Sequence, residues 1–396
     1  MQDLRERDIP LGSLRSFLTL LVVLHHAVIA YCQFVPPPAH TLAEPPWLWT
    51  AFPIVDAHRW GLADLIAGFN DTFFMSLMFL IAGTFAWPSL VRKGAGGYLR
   101  DRARRLGLPF LVAAGVLAPL AYAASWLANV APARGGSFLS QWLAIGAWPA
   151  GPAWFLWVLL AFGALAAIAY RMAPEVGAAF GRLIARLGQR PVFAWMLLVV
   201  AALLCYLPMT AWIDPMRWLS WGPFFVQASR VPHYLLYFVA GIGIGAAGHA
   251  RGLLDPGGRL ARRWWSWAIL AAIAFLVLTG AAIASMSAAM HGHPNAGLAA
   301  FCNAMFALSC ATTSFACIAL CLRFARRSNA ALDSLAANAY GIYLLHYPCV
   351  TWLQYALLRT DLPGAAKAAL VFAGAVGASW SLTAAARRIP LVARWI

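Results

Sequence analysis

Runs of about twenty apolar residues recur along almost the whole chain, and this narrows the possible folds more than any other feature of the sequence. A helix needs about 20 residues to cross a roughly 30 Å hydrocarbon layer. Ten stretches reach that length: 13–32, 71–91, 107–128, 152–170, 191–211, 232–249, 264–286, 297–322, 336–358 and 365–386. In hydrocarbon every backbone N–H and C=O must find its partner inside the protein, and stretches of this length do so as helices. The expected fold is therefore all-α: a polytopic integral membrane protein with about ten transmembrane helices and both termini on one side. With 62% of residues hydrophobic and only 11% charged, the chain lacks the polar surface that a water-soluble domain of this size would need. No internal repeat or linker divides it, so residues 1–396 read as a single transmembrane domain. The first stretch follows a charged segment and lacks a small-residue cleavage pattern, so it is expected to stay in place as a membrane helix.

The basic residues orient the bundle. Twenty-two of them fall in the terminal tails and even-numbered connections, including Arg92, Lys93, Arg100, Arg171, Arg182, Arg186, Arg190, Arg259 and Arg262. Five fall in the odd connections: Arg59, Arg134, Arg217, Arg230 and Arg359, while Arg15 and Lys367 sit at helix edges. By the positive-inside rule both termini are cytoplasmic. The net charge of +16 is then a signal of topology and of attraction to anionic membrane lipid, and nucleic acid is not needed to explain it. Trp87, Trp126, Trp154, Trp212, Trp264 and Trp265 fall near span ends, where indole rings settle at the headgroup level. The long outward connection from Cys32 to Asn70, rich in Pro and Trp, is a candidate lid. Seven cysteines show no zinc-type spacing, and no metal site is expected.

Ionisable groups at bilayer depth are costly unless they face a cavity or a partner, so each is a candidate for function. Arg15 and His26 are eleven residues apart on the first span, within roughly 20° of the same helix face and about 16 Å apart along it. His26 is thereby placed near the middle of the membrane, with Arg15 at its cytoplasmic mouth. His25 lies about 100° around the helix, so only one of the two histidines can share Arg15's face. His346 enters from the cytoplasm on the ninth span at a similar depth. Tyr340, Tyr343 and Tyr347 follow helical spacing beside it, either lining a cavity wall or packing as an aromatic stripe. An imidazole near neutrality is a suitable general base for a hydroxyl, whereas the bland alternative is a histidine that only ties helices together. Arg102, Arg104 and Arg105 lead into the third span and suit a phosphate-bearing cosubstrate, or simply topology. Gly241, Gly243 and Gly245 read as a small-residue packing face rather than a nucleotide loop. His291 and His293 read as solvated loop, and Cys310, Cys317 and Cys321 as packing.

In order along the chain, Arg15 to His26, the segment Phe73 to Gly83, Arg102 and Arg105 before Pro109, Trp154-Phe155-Leu156 and the run Tyr340 to Pro348 resemble the motifs of the membrane acyltransferase-3 family. The ending Arg388-Ile389-Pro390-Leu391 is similar to the branch of that family that succinylates periplasmic glucans. The resemblance departs at Ala82-Gly83, where many members have Ser-Gly. It implies an acyltransferase of groups other than aminoacyl groups, in the cytoplasmic (inner) membrane of a bacterium. Such an enzyme would move an acetyl, succinyl or similar short acyl group from acyl-CoA, as acetyl-CoA or succinyl-CoA, to a hydroxyl of a glycan or glycolipid. It implies no permanently bound cofactor. His26 would be the general base, with Arg15, Arg102, Arg104, Arg105, Trp154, Tyr340, Tyr343 and His346 binding substrate. Whether Asp56, Asp64 or Asp71 orients His26, and in what oligomeric state the chain works, the sequence leaves open. The rival reading is a transporter or flippase that uses the intramembrane His and Arg residues. It lacks support from a repeat or from paired intramembrane carboxylates.

Overall fold

Apolar stretches of this length leave the backbone only its own hydrogen bonds, and each of the ten becomes helical in the computed structural model. The structure describes residues 2–43, 48–131, 136–248, 252–327, 329–390 and 392–394, with the side chains of residues 2–8 and Arg394 left aside. Arg134 and Arg251, counted in the charge map, lie outside the described residues, as do the side chains of Arg5, Arg7 and Arg394. The principal elements are α1 (Gln2–Val28), α2 (Gly61–Thr84), α3 (Ala86–Val130), α4 (Phe138–Ala144), α5 (Trp154–Met172), α6 (Pro174–Gly188) and α7 (Pro191–Trp212). After them come β1 (Trp218–Trp221), β2 (Phe224–Gln227), α8 (Val231–Ala247), α9 (Arg259–Arg262), α10 (Trp264–Met290), α11 (Ala296–Phe324), α12 (Ala330–Leu357) and α13 (Gly364–Ala386).

Among the described residues eight helices are long and apolar enough to span a membrane, or nine if the pair 228–247 and 252–262, bent by 83°, is one span. All ten expected stretches are helices, and eight or nine of them meet this measure of length and apolarity. The helix that drops out is α12, which carries Asn338, His346, Thr351 and Gln354 inward as buried polar side chains. The second span also moves, from 71–91 to Gly61–Thr84. Hydropathy skips its first turns because Asp64 and Asp71 are charged, but the fold finds partners for both. Asp64 accepts from the backbone N–H groups of Gln33 and Phe34 (2.8 and 3.1 Å), and Asp71 pairs with Arg230. A further difference is the short antiparallel hairpin β1–β2, with Trp218 opposite Gln227, in a bundle expected to be helical throughout. It sits at a helix end, where Trp157 Nε1 donates to the Phe225 carbonyl at 3.0 Å.

The α2–α8 contact shows why the glycine run follows its spacing. A Cβ on Gly241 would stand 2.0 Å from the Leu80 carbonyl oxygen, one on Gly245 2.1 Å from that of Thr84, and one on Gly83 2.1 Å from that of Phe238. The two backbones touch, as small residues permit between membrane helices. Gly241→Val is therefore expected to destabilise the protein by about 1–3 kcal/mol or more through overpacking. Thermal unfolding in detergent reads the loss, and an unchanged melting temperature would refute close backbone packing.

The connection between α1 and α2 crosses the outward end of the bundle as a strap. Asp56 N donates to the Ala30 carbonyl (3.0 Å) and Trp60 N to that of Tyr31 (2.8 Å), while Arg59 Nη1 reaches the Cys32 carbonyl (3.1 Å). Lys367, read from sequence as a helix-edge charge, is wholly buried and donates to Asp56 Oδ2 at 2.8 Å.

Candidate functional site

At the end of the bundle covered by this strap, α1, α2, α5, α8, α12 and the hairpin enclose a cavity of about 350 Å3. Its wall includes His25, His26, Asp71, Trp154, Trp218, Gln227, Arg230, Tyr234, Tyr343 and Tyr347, and Thr50, Ala51 and Phe52 of the strap roof it. A volume of this size suits a sugar-sized or smaller molecule. His26 lies less than one turn from the end of α1 and five residues from the end of the span Ile9–Tyr31, nearer the strap-covered end than the span's middle.

His26 and His346 meet as expected, with ring centroids 5.3 Å apart, and Tyr347 approaches His26 at 5.0 Å. Gln354 Nε2 donates to the carbonyls of His26 (2.9 Å) and Ala27 (3.3 Å), fixing the end of α1 to α12. His346 Nδ1 lies 2.6 Å from the Tyr343 carbonyl. A carbonyl only accepts, so Nδ1 carries the proton and Nε2 holds a lone pair. His346 Nε2 and His26 Nδ1 are both buried without a hydrogen-bond partner.

His25, which the sequence places off Arg15's face, also borders the cavity, its ring 5.4 Å from that of Phe74. The end of α1 is wrapped by helices on several sides, and a 100° separation still leaves both rings on one wide wall. The carboxylate question also resolves: Asp56 is taken by Lys367, Asp64 by backbone amides and Asp71 by Arg230. Among the described residues no carboxylate hydrogen-bonds to His26.

Trp154 lies in the cavity wall, its ring 5.6 Å from Tyr234 and 6.2 Å from Trp218. Tyr343 donates its hydroxyl to the Pro152 carbonyl, and Tyr347 and Tyr122 both donate to the Thr50 carbonyl (3.1 and 2.9 Å). Gly151 allows this crowding: its φ of +56° is a left-handed conformation, and a Cβ there would stand 2.8 Å from the Tyr347 ring. Cys32 also lines the cavity, where burial and the nearby Asp64 push its thiol up to about 12, so it is not a thiolate nucleophile at neutral pH.

The arginines gather at the other end of the bundle. Arg15 Nη2 donates to the Ala336 carbonyl (3.2 Å), and one turn further along α12 Tyr340 donates to the Arg105 carbonyl (2.5 Å). That carbonyl is available because Pro109, four residues on, has no N–H to offer it. Arg102 lies over the Tyr98 ring (5.1 Å), Arg105 Nε donates to Asp101 (3.2 Å), and Arg104 is exposed. Arg15, Arg102 and Arg105 therefore converge on one face of α12, but none of them lines the cavity, which ends at Tyr343. Tyr340 and Tyr343, one turn apart, stand between the two regions.

Sequence reasoning missed the bidentate pair Arg230–Asp71 in the cavity wall, Nη1 to Oδ1 at 2.9 Å and Nη2 to Oδ2 at 2.7 Å, with the guanidinium over Phe306 at 4.7 Å. Arg230 was counted as an outer-loop charge. The available signal was two opposite charges, each abutting the outward end of an apolar stretch. Trp218 and Gln227 were missed because the hairpin was not expected.

A family model described as "Acyltransferase domain", of the acyltransferase-3 type, matches residues 11–384. No match is found among curated proteins or solved structures.

Proposed function

Because the chain belongs to the acyltransferase family whose model covers residues 11–384, we propose that it transfers a short acyl group from a cytoplasmic acyl-CoA to a hydroxyl held in the outward cavity, with His26 as general base. The observation that carries this reading is His26 on the wall of a 350 Å3 cavity with the His346 ring packed against it, and among the described residues no carboxylate hydrogen-bonds to either ring.

The chemistry follows from the tautomers. His346, protonated on Nδ1, keeps its Nε2 lone pair beside the His26 ring without a hydrogen bond between them, and in the His26 tautomer that carries its proton on Nδ1 the Nε2 lone pair is free. His26 Nε2 then takes the acceptor's hydroxyl proton as the oxygen attacks the thioester carbonyl. Collapse of the tetrahedral adduct breaks the C–S bond, and the proton passes from His26 to the departing thiolate. The products are an O-acyl ester and free CoA thiol. The Trp154, Trp218 and Tyr234 faces would bind the apolar face of a sugar ring, in keeping with a glycan or glycolipid acceptor. Acetyl and succinyl both fit the donor side, where Arg102, Arg104 and Arg105 would hold phosphates from the cytoplasm and Arg15 would sit at the mouth. The pantetheine arm would enter by turning the Tyr340 and Tyr343 phenols away from the carbonyls that now hold them.

The test is purified protein with radiolabelled acetyl-CoA or succinyl-CoA and a panel of hydroxyl acceptors. CoA thiol release matched by ester formation supports the reading, whereas passage of a solute across proteoliposomes without thiol release supports the transporter instead. Arg102→Gln/Arg105→Gln is expected to raise KM for the donor by about tenfold to a hundredfold, from the loss of charge-assisted contacts worth about 1.5–3 kcal/mol in total, with kcat changed much less. An unaltered donor KM would remove these arginines from the phosphate site.

A further inference from the structure

A second, larger recess of about 720 Å3 opens at the end of the bundle opposite His26, between the end of α6, the turn into α7 and the segment 252–262. The opposition follows from the chain path, since α5 starts at Trp154 in the cavity wall and ends at Met172 beside α6. Arg186, Arg190, Arg259 and Arg262 line it, against a single carboxylate, Asp255, whose Oδ1 already accepts from Gly257 N at 2.8 Å. Among the described residues none of these four guanidiniums has an ion pair or a side-chain hydrogen bond; nearby Arg326, by contrast, donates to the Pro256 and Leu322 carbonyls. Four unpaired like charges around one recess repel one another, and an anion between them would relieve that repulsion.

The recess is held by close backbone contact. A Cβ on Gly188 would stand 2.3 Å from Leu253 N, so the two walls cannot separate without losing that seat. Its depth is fixed by α6, whose neighbourhood exposes Met172 (81%), Val176 (62%) and Leu183 (50%) beside the exposed Arg182, Arg186 and Arg190. Apolar side chains on one flank and arginines on the other are the pattern of a helix lying in the membrane–water interface. The recess thus opens where lipid phosphates lie, and planar guanidiniums bind phosphate oxygens in pairs.

We propose that this recess binds the phosphate of an anionic phospholipid headgroup, with Arg186, Arg190, Arg259 and Arg262 as its ligands. The assignment does not depend on the acyl-transfer reading. The experiment uses the full chain in phosphatidylcholine micelles, with spin-labelled phosphatidylglycerol or phosphatidylcholine as the probe and melting temperature as the check on folding. Wild type is expected to prefer phosphatidylglycerol by about tenfold or more, given about 1 kcal/mol per surface cation. Arg186→Gln/Arg190→Gln and Arg259→Gln/Arg262→Gln should each cut the preference several-fold, while Arg171→Gln/Arg327→Gln, which removes equal charge elsewhere, should leave it intact. Either recess pair that folds suffices for the test. Equal preference in wild type and the recess variants overturns the proposal. So does a melting shift with inorganic pyrophosphate that the recess variants abolish, if wild type shows no lipid preference, because the recess would then serve soluble phosphates.

Discussion

His26→Ala is expected to lower kcat for acyl transfer by about 10^2–10^4-fold, the usual contribution of a positioned general base, while leaving the fold intact. The fold should survive because the ring's Nδ1 has no hydrogen-bond partner to lose, and α12 holds α1 through backbone carbonyls that alanine retains. His346→Gln separates base from orienting group. It should cost activity less than His26→Ala does, and it should alter the pH–rate profile, since the tautomer and basicity of His26 depend on its neighbour. Steady-state thiol release with the two variants and the parent decides the matter. Retention of full turnover by His26→Ala would leave the cavity as a binding chamber and move the chemistry elsewhere.

The second large effect concerns stability. Lys367→Ala should destabilise the protein by up to about 3–5 kcal/mol, because it leaves the Asp56 carboxylate, only 1% exposed, with the His58 backbone N–H and ring as its remaining partners and no full positive charge beside it. The loss should reach function as well. Asp56 anchors the strap whose Thr50 carbonyl receives Tyr122 and Tyr347, so a loosened strap lets the roof of the cavity move. The double variant Asp56→Asn/Lys367→Met should recover much of the melting temperature, since it removes both charges together. Thermal unfolding of the two variants in one detergent measures this, and equal loss in both would mean that the pair contributes nothing beyond its shape.

These two residues also show where sequence reading succeeds and stops. His26 was legible because a single chain-local rule, 3.6 residues per turn in an apolar stretch, places an ionisable ring where water is scarce. His346 was legible for the same reason, and the two spans' shared direction implied similar depth. Lys367 was not. On its own helix it is one cation at an edge, and only the fold brings Asp56 to it across more than three hundred residues of chain. The pair Arg230–Asp71 was hidden in the same way, with each half reading as an ordinary boundary charge.

The sequence by itself determined the solvent, the helical class and the sites of close helix approach. Those depend on counts and periods along the chain: twenty apolar residues for a span, and glycines two and four apart for a contact face. Only the tertiary structure decided which charges are neutralised, that His25 shares the cavity with His26, that a hairpin helps close it, and that tyrosines stand between it and the arginines. Those outcomes depend on which side chains meet across helices, and such encounters are set by packing in three dimensions rather than by any local pattern.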